Sequence, residues 1–597
     1  MHDNETEGRS MSRLQDFDPY IEQAMQSWHC PGVALALVER DEVLHQGAYG
    51  WRDVEGQLPM TPDSRFAMAS VTKSFTAMSV ALLVDEGRMA WDEPVREYMP
   101  EFVLDDAYVS HHVTVRDMLS HRTGLPRHDL SAWRLDSTRA EFIERMRHFK
   151  FSATFREKFQ YNNLMYYATA YLVEKVAGQR WEDFVHERIF APLGMGASNF
   201  VPEPPGPDQV NTKGYRVDRD EEGGAKGLIH MPFGRHSELS PGAAGALFST
   251  LADLVQWLKV HINQGRAGSV QLVAPENLQQ MHLPQMVVPG GGVSEALHGN
   301  TIFTYGMGWF IEPYRGHTLI RHGGNVEGFS LMVGFVPQAQ LGVVALTNIG
   351  MLPLRDVLLC ESIDRALGLE RRDWNDKYHQ VVDPQILAEA RAVQTAAQER
   401  IDEAPPTHPL ESYAGSYQAE GYPDFSVRCV EGRLQACIVG IFDWSQLRPY
   451  HYDIFEWHLV DIDHWVKIQF LVDTNGEVGS ISIPLEGEVD DILFKRCPPE
   501  LSQELVEALI GRYDTPVEGL GFAVTSRLDK VYITQTGGPP QEVKAYKLTD
   551  EWIGFTMGRA RLDFARQEGE IRRLLFKGPA TTLEAVRSDS QVYGSFD

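Results

Sequence analysis

Apolar and polar positions along residues 15–370 change between a two-residue and a 3.6-residue period. The segment opens with the helical pattern FDPYIEQAMQSW and continues with GVALALVERDEVLHQGAYG, whose alternation around Arg40–Asp41 predicts a β-hairpin. Helical periodicity then runs from Ser70 to Gly87. VTVRDMLSH, YATAYLVEKVAG and TLADLVQWLKVHIN predict further helices, and HTLIRHGG, FSLMVGFVP and LGVVALTN predict late strands. The pattern therefore predicts an α+β domain, with an antiparallel sheet built from both ends of the segment and a helical middle.

Residues 371–406 have a different pattern. The stretch DPQILAEARAVQTAAQERIDEAPP has helical periodicity and ends at Pro405 and Pro406, which cannot continue a helix. We interpret this segment as a helical linker that separates a first domain, residues 15–370, from the remainder of the chain.

Beyond the linker the chain consists almost entirely of short predicted strands, and their pattern occurs twice. YAGSY is echoed by LIGRY, NGEVGSISI is echoed by EGEIRRLLF, and Phe470 and Phe564 take matching places. The offset is about 95 residues, the length of one small β-domain. We predict two antiparallel β-barrels, residues 407–499 and 500–597, although motifs this short also recur by chance in β-meanders.

Composition excludes several classes of function. Of the 597 residues 43% are hydrophobic and 23% are charged, with a formal net charge of −28. An acidic chain with dispersed basic residues argues against nucleic acid and anionic membranes as main partners. The five cysteines are widely spaced and include no CxxC pair. They predict neither a disulfide framework nor a zinc site, and they fit a reducing compartment.

The N-terminus reads MHDNETEGRSMSRLQDF and lacks the apolar segment of a signal peptide. We expect residues 1–14 to be disordered because they are short and polar. No run of about 18 apolar residues predicts a membrane-spanning helix. The sequence therefore predicts a soluble, cytoplasmic protein.

The stretch MASVTKSF is the first candidate for chemistry. Ser70 and Lys73 are three positions apart at the predicted start of a helix, so their side chains share one face. A serine hydroxyl becomes a nucleophile when a base takes its proton, and a partly desolvated lysine can be that base. Taken alone, the motif favours the simpler interpretation of an N-cap serine and a solvated lysine.

Two later motifs change this interpretation. FQYNNLMYYATAYLVEKVAG places Tyr161 and Asn163 before an apolar helix, and RHGGNVEGF places His322, Gly323 and Gly324 after a predicted strand. The order S-x-x-K, Y-x-N and H-x-G resembles that of the penicillin-recognising serine hydrolases. The first domain is most similar to the branch with class C β-lactamases, D-alanyl-D-alanine carboxypeptidases, D-aminopeptidases and esterases. TVRDMLSHRTGL and GALFSTLADL are secondary resemblances.

The resemblance implies a β-lactamase/transpeptidase-like fold and a role for each site residue. Ser70 would attack a carbonyl and become acylated after Lys73 accepts its proton. Tyr161, with a pKa lowered by nearby cations, would relay a proton to the leaving group and help to activate water. Asn163 would orient Lys73 or the substrate amide. The oxyanion hole would consist of the backbone N–H groups of Ser70 and Asn325.

The third motif contains a departure from the family pattern. Gly323 and Gly324 would let the substrate backbone approach the strand edge, as the resemblance implies. The β-lactamases of the family usually have lysine at the position of His322, where a fixed positive charge meets the drug's carboxylate. A histidine is largely neutral at pH 7, which argues against efficient β-lactamase activity. The alternative is that His322 is a structural histidine at a strand end.

The β-domains add a second resemblance. A catalytic domain of this type followed by two barrels is similar to the three-domain D-aminopeptidases, whose additional domains are lipocalin-like. The resemblance implies that the barrels limit the cleft to short peptides. One hypothesis is that the turn TQTGGPPQE reaches the cleft and that Glu542 binds a substrate amine. A solvated hairpin turn is the alternative.

We therefore expect a serine hydrolase that acts through a Ser-Lys-Tyr acyl-enzyme mechanism. The preferred substrates are short peptides or amides, including those with D-residues. A carboxylesterase and a weak β-lactamase are alternatives, and a non-catalytic protein that binds a peptide or β-lactam is the alternative of another class. No motif predicts a cofactor or metal site. Small peptide, amide or ester substrates are the expected partners, and a homodimer is left open.

Overall fold

In a computed structural model, the helices and strands fall into three groups along the chain. The structure describes residues 14–588 except 133–136, 202–210, 221, 233–241, 291, 399, 402, 461–463, 475, 528–529, 549–550, 559, 568–569 and 579–580. Residues 1–13 of the segment expected to be disordered lie outside the described residues. Within the described ranges, no helix is long and apolar enough to cross a membrane.

Fourteen α-helices can be assigned within the described residues. Helices α1 to α14 span Phe17–Ser27, Thr72–Asp85, Ala107–His112, Val115–Leu119, Arg139–Arg145, Leu164–Ala177, Trp181–Val185, Ala191–Leu193, Leu251–Ile262, Pro275–His282, Gly292–His298, Leu354–Leu367, Trp374–Gln398 and Gln503–Leu509. Short 3-10 turns span Ala69–Val71, Val95–Glu97, Asp129–Ser131, Met146–His148, Pro337–Ala339 and Leu410–Tyr413, and His186–Phe190 is π-helical.

The fifteen strands of the first group form one nine-stranded sheet and three two-stranded sheets. Strands β1 to β15 span Gly32–Glu39, Glu42–Asp53, Leu58–Pro59, Phe66–Ala67, Gly214–Arg219, Ala225–Met231, Phe248–Ser249, Arg266–Ala267, Val270–Gln271, Met286–Val288, Phe303–Tyr305, Phe310–Tyr314, His317–Val326, Phe329–Val336 and Leu341–Thr347.

The remaining strands form two groups of eight. Strands β16 to β23 span Gly415–Gln418, Phe425–Val430, Arg433–Ile438, Ser445–His451, Ile454–Leu459, His464–Val472, Val478–Ile483 and Ile492–Arg496. Strands β24 to β31 span Gly511–Asp514, Gly521–Arg527, Lys530–Gln535, Gln541–Leu548, Trp552–Met557, Ala560–Gln567, Glu570–Lys577 and Thr582–Ser588.

A nine-stranded antiparallel sheet forms the centre of the first group, in the order β10-β11-β12-β13-β14-β15-β1-β2-β3. Leu35 of β1 lies opposite Ala345 of β15 on one side and Gly47 of β2 on the other. The predicted sheet built from both ends of the segment is therefore confirmed. The strand β13, which carries the H-x-G motif, lies near its middle.

Each face of this sheet is covered by its own hydrophobic core, which explains the unbroken apolar run of β1. Ala34 and Ala36 enter the core formed with α2, α9 and the helical middle. Leu35 and Leu37 enter the opposite core, formed with α1, α12 and α13. The sheet is thus the middle layer of three, with a helical layer on each face.

The two predicted β-barrels are confirmed as closed antiparallel barrels of eight strands each, β16 to β23 and β24 to β31. They close in the same way. Arg496 donates to backbone carbonyls around the start of the first barrel, and Arg587 makes the equivalent bonds in the second. Tyr417 packs edge-on against Phe470, as Tyr513 packs against Phe564. The equivalent contacts support a repeated unit.

The helix between the first domain and the barrels begins earlier than the linker pattern suggests. Helix α13 starts at Trp374, whose indole N–H donates to Asp364 of α12 at 2.7 Å. Trp374 and Tyr378 are buried in the core of the first domain. The first turns of the helix are therefore part of the packing of the first domain rather than a free connection.

The second predicted helix of the middle, α4, is fixed by one buried carboxylate. Asp117 and Thr114 form a reciprocal capping box at its N-terminus. The Asp117 carboxylate also accepts from Arg122 at 2.6 Å and from Arg156 at 2.7 Å. It is inaccessible to solvent, and its pKa is lowered although burial alone would raise it, because these hydrogen bonds and charges outweigh desolvation. Asp117 therefore ties both ends of the 122–156 segment to one helix.

We expect Asp117→Ala to lower the free energy of unfolding by about 3 kcal/mol, because it leaves a largely buried guanidinium unpaired. A lowered folded-state pKa stabilises the protein above the unfolded value of about 3.9, so the difference between variant and wild type shrinks as pH falls below it. Urea unfolding at pH 7 and at about pH 3, below the unfolded value, measures both effects. Asp92→Ala is the control, since Asp92 is exposed and pairs with Arg116. Equal losses in the two variants would contradict the prediction.

Candidate active site

Ser70 lies in the 3-10 turn Ala69–Val71, directly before α2. The sequence predicted that the α-helix begins at Ser70, whereas it begins at Thr72. The reason is the backbone of Ala69, which has φ of 45° and accepts from the Thr72 hydroxyl at 2.6 Å. A left-handed alanine is strained, and strain of this kind is characteristic of functional sites.

Lys73 contacts three oxygen atoms with its amine. Its Nζ is 3.1 Å from Ser70 Oγ, 2.7 Å from Asn163 Oδ1 and 2.9 Å from the carbonyl oxygen of Ala244. The residue has 0% exposure, and burial lowers the pKa of the amine well below its ordinary value. Arg127 lowers this pKa further, and Asp129 raises it. A neutral amine at hydrogen-bond distance can accept the proton of Ser70.

Tyr161 lies against the same amine. Lys73 Nζ is 4.8 Å from the centroid of its ring. Burial raises the pKa of Tyr161, while a hydrogen bond with Ser70 and the charge of Arg127 act in the opposite direction without cancelling it. The expected lowering of this pKa is therefore wrong, because desolvation of the phenolate outweighs the nearby cations. The hydroxyl keeps its proton and can donate it.

Asn163 connects Lys73 to a carboxylate that the sequence analysis missed. Its Oδ1 accepts from Lys73, and its Nδ2 donates to Asp129 Oδ1 at 2.8 Å. Asp129 also accepts from Arg127 Nε at 2.6 Å, and the Arg127 guanidinium lies 5.2 Å from the centroid of the Tyr161 ring. The sequence signal for Asp129 is only the polar triplet RHD, which directly follows Leu125 and Pro126. No spacing rule connects this triplet with the Y-x-N motif.

His322 is buried rather than directed to a substrate. It is 1% exposed, and burial lowers its pKa to about 3. Its Nδ1–H donates to the Gly323 carbonyl at 2.8 Å, so Nε2 accepts from the Tyr305 hydroxyl at 2.9 Å. The predicted direct role in substrate binding is corrected accordingly: the neutral imidazole is buried within β13 and packs beside Tyr161.

The glycines of β13 allow the strand to pass directly beside the nucleophile. A Cβ atom on Gly324 would lie 2.5 Å from the Met68 carbonyl oxygen and 3.2 Å from the Ser70 nitrogen. A Cβ atom on Gly323 would lie 3.1 Å from Arg355 Cζ. The backbone of β13 and the Ser70 N–H therefore lie together, as an oxyanion hole requires.

Asn325 follows these glycines on β13, and the hydroxyl of Ser330 donates to its side chain at 2.7 Å. Its backbone N–H as the second oxyanion donor stays a prediction.

Glu542, the hypothetical amine-binding residue, lies within its own barrel. It begins β27 together with Gln541, is exposed, and pairs with Lys530 at 3.0 Å. Its register partner is Tyr532 of β26. These contacts fit the alternative of a solvated hairpin, and a role of Glu542 in binding a substrate amine stays a prediction.

The fold and the Ser70, Lys73 and Tyr161 arrangement define a β-lactamase-type serine hydrolase. The sequence profile of the Beta-lactamase family matches residues 17–356, and the chain belongs to this family. The resemblance inferred from the motifs is thereby confirmed. A second profile, described as a domain of unknown function (DUF3471), matches residues 399–496, which contain the first barrel.

Relatives and solved structures agree with this assignment. Unguisins hydrolase ungD' of Aspergillus campestris is 28% identical over 440 residues, which cover 70% of this chain and 78% of the relative. The octameric penicillin-binding protein homologue from Pyrococcus abyssi has a TM-score of 0.52 at 24% identity, over 81% of this chain and 100% of that chain. EstCE1, a hydrolase with promiscuous acyltransferase activity, has a TM-score of 0.50 at 19% identity, over 60% of this chain and 99% of that chain. The two structures show that the fold is shared.

The lowered pKa of Lys73 predicts the pH dependence of Ser70 reactivity. Fluorophosphonate labelling of Ser70 should accelerate as pH rises through this pKa, with a midpoint below the ordinary lysine value of 10.5. Lys73→Arg should abolish labelling, because a guanidinium keeps its proton and cannot act as base. Intact-protein mass spectrometry at a series of pH values measures the rate. A rate independent of pH, or unchanged in Lys73→Arg, would contradict the role of Lys73 as base.

The close approach at Gly324 predicts that one methyl group disrupts the site. Gly324→Ala should lower the labelling rate about a hundredfold, because Ser70 or β13 must move to accommodate the Cβ atom. Gly196→Ala is the matched control, since a Cβ atom there has no neighbour within 4 Å. The same mass-spectrometric assay compares the two, and comparable rates would show that the strand does not constrain the nucleophile.

Proposed function

We propose that the chain is a Ser-Lys-Tyr amidase or peptidase that hydrolyses short peptides, including those with D-residues, through an acyl-enzyme. The observation that carries the proposal is the buried Lys73 amine, 3.1 Å from Ser70 Oγ and held by Asn163. This contact gives the serine a base without requiring a histidine.

The proposed reaction begins when Lys73 takes the proton of Ser70 and Oγ attacks the substrate carbonyl. The negative charge that develops on the carbonyl oxygen would be stabilised by the N–H groups of Ser70 and Asn325. Tyr161 donates its proton to the leaving nitrogen as the C–N bond breaks, and the Lys73 ammonium returns a proton to Tyr161. Water then attacks the acyl-enzyme, with Lys73 and Tyr161 moving its proton to Ser70 Oγ.

The state of Tyr161 supports amide substrates. An amine leaves a tetrahedral intermediate only after its nitrogen is protonated, whereas many alkoxides and phenoxides leave without this help. A tyrosine whose pKa is raised by burial retains the proton that an amide substrate needs. The neutral His322 argues against efficient β-lactamase activity, because it offers no fixed positive charge to the drug's carboxylate.

The relatives support hydrolysis by this chain. The A. campestris protein is named for the hydrolysis of unguisins, and this chain matches 78% of it. The D-residue preference rests on the resemblance to D-aminopeptidases and is the part of the proposal that the following measurement decides.

We expect Ser70-dependent release of p-nitroaniline from D-alanyl p-nitroanilide at a higher initial rate than from the L-isomer. Ser70→Ala, purified in the same way, is the control for contaminating peptidases. A preference for the L-isomer would remove the D-residue part of the proposal.

The same assay separates the alternatives. Turnover of p-nitrophenyl esters without turnover of either anilide or of longer peptides would replace the amidase by a carboxylesterase. A folded wild-type protein whose Ser70 is not labelled by a fluorophosphonate would favour the non-catalytic binding protein.

A further inference from the structure

The first barrel contacts the catalytic domain beside the active site. The loop between β22 and β23, residues 484–491, lies against the segment that precedes Tyr161; we call it the docking loop. Its Glu486 is 9% exposed, and its Oε2 accepts from the backbone N–H of His128 at 2.6 Å. Its Glu488 accepts from Gln160 at 2.7 Å and from Lys158 at 2.8 Å. A carboxylate buried in this way stabilises the position of its donor.

A second part of the same barrel holds the side chain of His128. Nε2–H of His128 donates to the Lys150 carbonyl at 2.9 Å, so Nδ1 accepts from the Tyr422 hydroxyl at 2.6 Å. The His128 ring also stacks on Phe149, and Tyr422 packs edge-on against Phe149. Backbone and side chain of His128 are therefore both bonded to the first barrel.

His128 needs this support because its backbone is strained. Its φ of 43° lies in the left-handed region, which is uncommon for residues other than glycine. The turn at His128 directs the next residue, Asp129, to the Nδ2 of Asn163 at 2.8 Å. Asn163 in turn holds Lys73 at 2.7 Å. Loss of the two bonds from the barrel would allow the turn to relax to a more common conformation.

We propose that Glu486 of the first barrel is a positioning residue for the catalytic lysine, acting through His128, Asp129 and Asn163. The inference rests on the proposed function, since it concerns the same Ser70 and Lys73. In this proposal the first domain holds Ser70 and Lys73, and the first barrel fixes the turn whose Asp129 orients Asn163, the hydrogen-bond partner of Lys73.

Charge gives the inference a second readout. Arg127 and Asp129 flank His128 and act on the pKa of Lys73 in opposite directions. The other titratable groups that surround the Lys73 amine lie outside the turn 127–129; they are His121, Tyr161, Tyr166 and His322. A displaced turn therefore changes the pH midpoint of Ser70 labelling, which a loss of overall stability would not do.

The test uses the full-length chain and the fluorophosphonate labelling rate of Ser70 as a function of pH. Glu486→Ala should lower the rate about ten- to a hundredfold and shift the midpoint, because the base is misplaced. Glu486→Gln should be affected much less, since its amide oxygen can still accept from His128 N–H. Glu420→Ala is the matched control: Glu420 is another carboxylate of this barrel that pairs with the catalytic domain, at His148, but its side chain is 88% exposed.

Tyr422→Phe keeps the ring and removes the bond to His128 Nδ1, so it tests the same turn if Glu486→Ala does not fold. It should lower the rate and shift the midpoint in the same direction as Glu486→Ala. Circular dichroism and thermal unfolding verify each variant.

The outcomes separate this inference from the proposed function. Wild-type protein that is not labelled at Ser70 would overturn the proposed function and the inference with it. Labelled wild type with the same rate and midpoint in Glu486→Ala and Tyr422→Phe would overturn the inference alone. A rate loss in Glu420→Ala as large as in Glu486→Ala would also overturn it, because any weakening of barrel docking would then suffice.

Discussion

The removal of one amine from water is the constraint on which the active site depends. Lys73 lies on a helix that is buried on nearly all sides, and an ammonium in that position is costly. Burial lowers its pKa for this reason, which favours the neutral amine that can accept the proton of Ser70. The oxygen atoms that contact the amine belong to Ser70, Asn163 and Ala244, and the last two lie 90 and 171 residues from Lys73 along the chain. The whole catalytic domain must therefore fold before the base exists.

The surroundings of Lys73 follow from the same desolvation. Burial keeps His121 and His322 uncharged, so neither adds a positive charge beside the amine. Tyr161 keeps its proton for the same physical reason. Arg127 and Asp129 carry charge at the rim of the site, and they pair with each other. The result is a site whose buried His121, His322 and Tyr161 side chains are uncharged. Such a site suits the binding of an uncharged amide group.

The barrels show how an added domain can matter without contributing a catalytic side chain. Each is a closed unit with its own core. The first barrel presents one buried acceptor, Glu486, to a strained turn of the first domain, whereas Glu542 of the second barrel accepts from Lys530 of the same barrel. The two barrels therefore differ in what their acidic side chains contact, and the motifs that the two repeats share do not reveal this difference.

Much of this protein follows from local sequence. Periodicity predicts the sheet, the helical middle and both barrels. The reason is that burial of one face of a helix or strand requires apolar residues at regular spacing in the sequence, and burial of both faces requires a continuous apolar run. The S-x-x-K and H-x-G motifs identify Ser70, Lys73 and the glycines, since helix spacing and close strand approach are local requirements. The pattern also separates the linker helix, although its first turns at Trp374 belong to the catalytic core.

Tertiary structure decided what depends on burial and on partners distant in sequence. The Y-x-N motif leaves open whether Asn163 orients Lys73 or the substrate amide; in the folded chain its Oδ1 accepts from Lys73, while Asn162 accepts from Met165 N–H at the start of α6. The buried state of His322 and the raised pKa of Tyr161 depend on how many atoms surround them. Asp129 and Glu486 join the site through contacts that span tens to hundreds of residues. The sequence by itself determined the elements and the reactive residues, and only the folded chain determined their charge, orientation and support, because desolvation and hydrogen bonding are properties of the packed whole.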